Sequence, residues 1–210
     1  MAEPPSKPEN VLVVGGGWAG LAAAIELTRH GIPVTLLEAA RQLGGRARCV
    51  PFGDVRVDNG QHLMIGAYEA MLRLMTTVGV DPDEMFLRLP LDLHMRALDA
   101  PELRVRTRKL PAPLHLAWAL ATVRGLPPRE RLSLLRFSHR LQRNKIMLDA
   151  DITAQALLLG ERQGARVMGA LWEPLCLAAM NTPLAEASAK LLPEVLRRTF
   201  VSEAGHSDLL

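Results

Sequence analysis

Aromatic residues make up only 4% of this 210-residue chain, so any core it builds is aliphatic, and it has no aromatic platform on which nucleobases stack. It has two cysteines, Cys49 and Cys176, far apart and at no metal or redox spacing. They are expected to be thiols in a reducing cytoplasm, and no metal site is expected. No stretch approaches the roughly 20 apolar residues of a membrane span. Residues 1–10 are polar and proline-rich, lack the apolar centre of a signal peptide and read as a loose tail. There is no internal repeat. Acidic residues are nearly missing from residues 104–145, where eleven Lys and Arg face one acid, Glu130, for a net of +10 that leaves −7 for the rest of the chain. Against these absences, apolar residues are 49% of the chain, enough for a globular core.

What is present is concentrated near the N-terminus. VLVVGGGWAG places an apolar run before Gly15, Gly17 and Gly20, and LAAAIELTRHG follows with helix formers and a stop at Gly31. The run at residues 11–14 reads as a buried parallel strand, which requires helices on both faces of its sheet. Gly15 turns the chain out of that strand. Gly17 admits a pyrophosphate, and Gly20 lets the helix pack close to the strand. The helix start offers free N–H groups and partial positive charge. The second strand, at residues 33–37, ends in Glu38, eighteen residues after Gly20, where a carboxylate accepts hydrogen bonds from a ribose and repels a 2′-phosphate. A chance glycine-rich turn would lack the strand, the helix and the acid. This much fits NAD or FAD. RQLGGRA then adds Gly44, Gly45 and Arg46: a second close backbone approach and a forked cation for phosphate, which a plain NAD domain does not use. By itself this stretch reads equally as a surface turn with a solvated arginine.

GGGWAGLAAAIEL, EAARQLGGRA and DNGQHLMIGAY together resemble the amine oxidase and phytoene desaturase superfamily of FAD enzymes. LWEPLCLAAMNTPLAEAS, at residues 171–188, is similar to a segment of its squalene-associated branch, the hydroxysqualene dehydroxylases of hopanoid biosynthesis. The resemblance runs from about Val11 onward. It implies non-covalent FAD held by Gly15, Gly17, Gly20, Glu38, Gly44, Gly45, Arg46 and Gly60, and an isoprenoid lipid substrate whose hydroxyl is replaced by hydrogen. A carotenoid-type desaturase shares the early motifs and is the alternative enzyme. An amine oxidase is disfavoured because no aromatic cage is evident, and a non-catalytic membrane-bound remnant is the alternative outside enzymology. Family members are considerably longer and return to the FAD domain late in the chain. No second glycine-rich motif follows Gly45, so the expectation is the N-terminal portion of an enzyme, inactive alone and with the missing half as a partner.

The predicted fold class is α/β: an incomplete Rossmann-like FAD-binding domain with a parallel sheet at residues 11–90, and a partial, helix-rich α+β substrate domain at residues 91–210. Helices are expected at residues 68–78, within 111–145, and at 151–159, 165–179 and 184–200, with Pro174 kinking the fourth. Alternation at residues 91–106 predicts a hairpin. Gln61 and His62 are the catalytic candidates, in a loop that by resemblance runs close to the flavin; a capped loop histidine is the plainer reading. Asp58 reads as a turn former or an aid to the leaving hydroxyl. Trp172, Glu173 and Asn181 read as helix packing and capping or as substrate wall, Cys176 as packed, and Met64, Met71, Met75 and Met180 as fillers of core or cavity gaps.

Three readings compete for residues 104–145: a solvated helix pair, a nucleic-acid surface, or an interfacial element on an anionic membrane. Leu134, Phe137 and Leu141 fall on one helical face and Arg129, Arg136, Arg140 and Arg143 on another. With no RNA-binding motif, nucleic acid is not expected. The membrane reading puts Trp118 and the leucines into the interface, with the protein peripheral on the inner, cytoplasmic face.

Overall fold

The computed structural model describes residues 8–59, 63–97 and 100–210. The chain divides into two compact units, Met1–Leu63 and Met64–Leu210.

In the first unit β1 (Val11–Val14), α1 (Trp18–Arg29) and β2 (Val34–Leu37) form the expected β–α–β motif, with β1 and β2 parallel and Val11 beside Val34. The alanine-rich sequence of α1 favours helix. The His30 amide caps the last turn, and Gly31 leaves it at φ +69°. A second pair was not anticipated: β3 (Cys49–Phe52) and β4 (Val55–Asp58) are antiparallel about Gly53, at φ +59°. The fully buried strand expected at residues 11–14 is corrected. Val11 and Val13 are half-buried, while Val14 is 78% and Leu12 57% exposed. Successive strand residues point to opposite faces, and in this chain one face of the β1–β2 pair stays uncovered.

The second unit opens with α2 (Glu69–Thr77) and α3 (Pro82–Met85). Residues 64–90 cluster with this unit. Backbone pairing explains it, since Leu209 bridges both Ile65 and Leu89. The hairpin β5 (Asp92–Ala97) and β6 (Ala100–Arg106) forms as expected. The basic region folds as α4 (Leu114–Ala121) and α5 (Pro128–Gln142). After α6 (Ala154–Gly160), α7 (Ala165–Val167) runs through a π turn at Met168–Trp172 into α8 (Glu173–Met180). Pro174 lies inside this continuous helical run, directly after the π turn, and the widened turn is where the residue that cannot donate an N–H is accommodated. The helix expected from residue 184 begins only with α9 (Leu191–Leu196). The preceding turn is held by Asp151, which accepts from the Ser188 hydroxyl at 2.7 Å and the Lys190 amide at 3.2 Å. The core lies between β6, α4, α5, α8 and α9, with Leu103, Val123, Leu134, Phe137, Leu158 and Leu192 at its centre.

Candidate cofactor site

Everything in this site belongs to the first unit. Gly15 leaves β1 at φ +101°, a conformation costly to any residue with a Cβ, and its amide donates to the Leu37 carbonyl at 2.7 Å. Gly20 is required by contact, because a Cβ there would overlap the Gly15 carbonyl oxygen. Gly17 is different. Its backbone is extended (φ −77°), and a Cβ would meet only the Gly45 Cα, at 3.9 Å. Nothing in the fold forbids a side chain at Gly17; the position borders open space. Among the described residues the first-turn amides of Trp18, Ala19 and Gly20 have no hydrogen-bond partner, as a helix start dictates.

The second glycine loop lies directly against the first. The Gly44 amide donates to the Gly16 carbonyl at 2.8 Å, and a Cβ on Gly45 would come within 3.1 Å of the Gly17 Cα. The two loops line a concavity of about 820 Å³ with Gly15, Gly17, Gly20, Gly44, Gly45 and the exposed Arg46 among its walls. Glu38 braces the same turn. One carboxylate oxygen accepts the Gly16 amide at 2.6 Å and the other the Ala40 amide at 2.8 Å. These bonds, first from Ala40 and then from Gly16, hold its pKa below the ordinary carboxylate value. Each oxygen keeps a lone pair for a further donor.

The arrangement suits a pyrophosphate, with free amides at a helix start, two glycine backbones in contact, a forked cation and an ionised carboxylate at the adjoining strand end. The sequence matches the family described as flavin-containing amine oxidoreductase over residues 18–206. The chain belongs to that family. Its cofactor is FAD, and the cradle fits the group on the geometry just given. The chain is 31% identical over 210 residues to a hydroxysqualene dehydroxylase of Rhodopseudomonas palustris, covering 92% of this chain and 44% of that protein. It is 27% identical over 199 residues to one of Sinorhizobium fredii, covering 93% and 45%. It therefore spans less than half the length of these relatives. Among solved structures, an oxidoreductase from Methanosarcina mazei superposes with a TM-score of 0.59 at 12% identity, over 96% of this chain and 45% of that one. At that identity the likeness concerns the fold alone, a mixed helix-and-strand frame that here includes the parallel β1–β2 pair.

Gly15, Gly17, Gly20, Gly44, Gly45 and Arg46 line one concavity, and Glu38 bonds the Gly16 amide beside it. Gly60, Gln61 and His62 lie outside the described residues. Asp58 ends β4 and accepts the Cys49 thiol at 3.3 Å, which raises the thiol's pKa. In the second unit, Trp172 is a core residue: its Nε1 donates to Gln163 at 3.1 Å, and its ring meets Phe137 edge-on at 5.4 Å. Glu173 accepts the Leu184 amide at 3.3 Å, Asn181 caps α8 at φ +51°, and Cys176 is buried. Met64 is buried as well. Sequence reasoning passed over His115, which is 1% exposed on α4; burial pushes its pKa down. A histidine inside the apolar run LHLAWAL was the available signal.

Proposed function

We propose that the chain carries the FAD-binding part and a share of the substrate unit of an oxidoreductase that replaces the hydroxyl of hydroxysqualene with hydrogen, giving squalene. The observation that supports this reading best is the likeness to hydroxysqualene dehydroxylases over more than nine-tenths of the chain, through both units. FAD, when bound, supplies two-electron redox chemistry. The chain's own residues bind and orient it. Gly17 and Gly45 leave room for the pyrophosphate, the start of α1 and Arg46 neutralise it, and Glu38 accepts a ribose hydroxyl. Gln61 and His62 remain the candidates for handling the departing hydroxyl, on sequence alone.

An apolar cavity of about 50 Å³ inside the second unit, lined by Leu93, Phe137, Leu171 and Trp172, has one hydroxyl on its wall, that of Ser138, which is buried without a partner. It is far too small for a polyprenyl chain. Residues 104–145 remain the segment for an anionic membrane surface, with a narrower apolar contribution than the sequence suggested. Leu134, Phe137 and Leu141 are buried, Arg140 pairs with Glu161 at 2.7 Å, and Leu114 and Trp118 are exposed. No helix among the described residues is long and apolar enough to cross a membrane.

The test is a chimera in which residues 1–210 replace the matching part of the Rhodopseudomonas palustris relative. It is loaded with FAD, reduced, and given hydroxysqualene. Squalene detected by mass spectrometry supports the reading. A chimera that retains flavin, makes no squalene and desaturates phytoene would replace it with the carotenoid-type activity.

A further inference from the structure

The second unit holds a concavity of about 900 Å³ that contains none of the cradle residues, and its lining is cationic: Arg104, Arg106, Arg108, Lys109 and Arg124 against a single carboxylate, Asp92. That carboxylate is already engaged. Arg104 grips it through both oxygens at 2.8 and 2.6 Å, and the Arg106 Nε lies 3.6 Å away. Arg108, Lys109 and Arg124 are exposed, and among the described residues none has a carboxylate within ion-pair distance. We propose that this basin binds a phosphate or diphosphate group carried on an apolar chain, with Arg106, Arg108, Lys109 and Arg124 as its cationic contacts.

The fold assembles these side chains from separate segments. At the end of β6 the Thr107 amide and hydroxyl both donate to the Leu91 carbonyl, at 2.9 and 3.3 Å, which fixes where the following turn leaves the hairpin. Arg124 arrives from beyond α4 by backbone pairing with Arg104, at 3.3 and 3.2 Å. Gly125 follows at φ +86°, so close that a Cβ would overlap the Glu102 carbonyl. The Arg108 guanidinium stands 4.7 Å over the Trp118 ring. Five cations outnumber the carboxylates near them, Asp92 on the basin wall and Asp208 in the neighbouring concavity, and a multiply charged anion relieves the repulsion left over. Forked guanidiniums with an ammonium beside them suit phosphate oxygens.

A second observation points to a ligand at the same turn. Arg108 and Lys109 also line a neighbouring concavity of about 370 Å³ that reaches His115. That ring is 1% exposed, and neither nitrogen has a partner at hydrogen-bond geometry. The Phe200 carbonyl favours its protonation, but less than burial opposes it. The apolar chain is argued from the basin's other walls, Leu89, Pro90, Leu110 and Trp118. A nucleotide is a poorer fit, because the one aromatic face is already covered by Arg108. A soluble alkyl phosphate and a phospholipid headgroup offer the same chemistry, and the experiment separates them.

Binding is measured in the 210-residue chain carrying Gly17→Val, which blocks the glycine-loop cradle, by calorimetry with inorganic pyrophosphate and with dodecyl phosphate below its micelle concentration, and by co-sedimentation with phosphatidylcholine vesicles containing phosphatidic acid. The variant Arg108→Gln/Lys109→Gln/Arg124→Gln is expected to lose at least about tenfold in affinity. The charge-matched control Arg129→Gln/Arg136→Gln/Arg143→Gln is expected to change the affinity for pyrophosphate and dodecyl phosphate, the two soluble probes, by less than about twofold. Trp118→Ser should weaken dodecyl phosphate and spare pyrophosphate. Circular dichroism melts verify folding, and the single Lys109→Gln serves if the triple variant melts early. Loss confined to the first variant supports the site. Binding of dodecyl phosphate without vesicles assigns a soluble ligand, and vesicles without dodecyl phosphate a headgroup. Equal loss of the soluble probes in both triple variants, or no binding in any arm, overturns the proposal.

Discussion

Gly17 and Gly20 occupy one motif and answer to different constraints. Gly20 is required by the fold, since an added methyl collides with the Gly15 carbonyl. Gly17 has ordinary extended backbone and room for a Cβ, so the fold does not require it. Gly20→Ala is therefore expected to destabilise the first unit by about 1–3 kcal/mol, as overpacking does, and to lose flavin with it. Gly17→Ala should leave the denaturation midpoint unchanged and weaken FAD binding at least about tenfold, by putting a methyl where the phosphates approach. Both are measured in the chimera, by urea titration and flavin fluorescence; a destabilised Gly17→Ala would mean that this glycine is structural. His115 yields a second expectation. Its pKa is held below the ordinary 6.5 by burial. Below about pH 6.5 the unfolded chain takes up a proton that the folded state refuses, so stability falls as pH drops through that range. Asp208, raised by burial, acts in the opposite sense nearer its ordinary 3.8. His115→Leu should therefore shrink the loss of stability between about pH 7 and pH 5, and denaturation midpoints at the two pH values decide it.

At the scale of elements, α5 shows why periodicity was informative. Leu134, Phe137 and Leu141 recur at helical spacing and are all buried, while Arg129, Arg136 and Arg143 are exposed. Phe137→Ala is expected to cost about 3–5 kcal/mol through the lost contact with Trp172 and the space left behind. Arg136→Ala should stay within about 0.5 kcal/mol, and comparable losses in the two would refute the assignment of faces. The β–α–β motif was legible for a similar reason, because strand, glycine turn, helix and acid are signalled locally. The contact between the two glycine loops was expected only as two approaches to one ligand. Four features were not legible. The β3–β4 hairpin has no counterpart among the expected elements, although VPFGDV carries a glycine turn between apolar residues. The turn at residues 184–190 is apolar enough for helix and is held out of it by Asp151, a partner distant in sequence. The exposure of Leu12 and Val14 depends on how many layers cover a sheet, which hydropathy of one strand does not encode. The cationic basin escaped for a related reason: the excess charge was plain, but its focus comes from Arg124 pairing back onto Arg104.

At the scale of the whole molecule, the cradle belongs to a unit with little interior. No residue of α1 is buried, and Leu12, Val14 and Leu37 of the parallel pair are each at least half exposed. The larger apolar core lies entirely in the second unit. A cofactor the size of FAD is ordinarily enclosed over most of its surface, whereas here the described contacts gather at the glycine loops and Glu38. Anchoring a pyrophosphate gives recognition without much apolar burial, which is the larger source of affinity. The isolated 210-residue chain is therefore expected to bind FAD at least about tenfold more weakly than the chimera, or roughly 1.4 kcal/mol in binding free energy. It should also show no conversion of hydroxysqualene when reduced. Titration of FAD fluorescence against both proteins, with Gly17→Val of each as the blank, measures the difference. Equal affinity in chain and chimera would mean that the cradle holds the cofactor unaided, and turnover by the chain alone would place the complete catalytic machinery within these 210 residues.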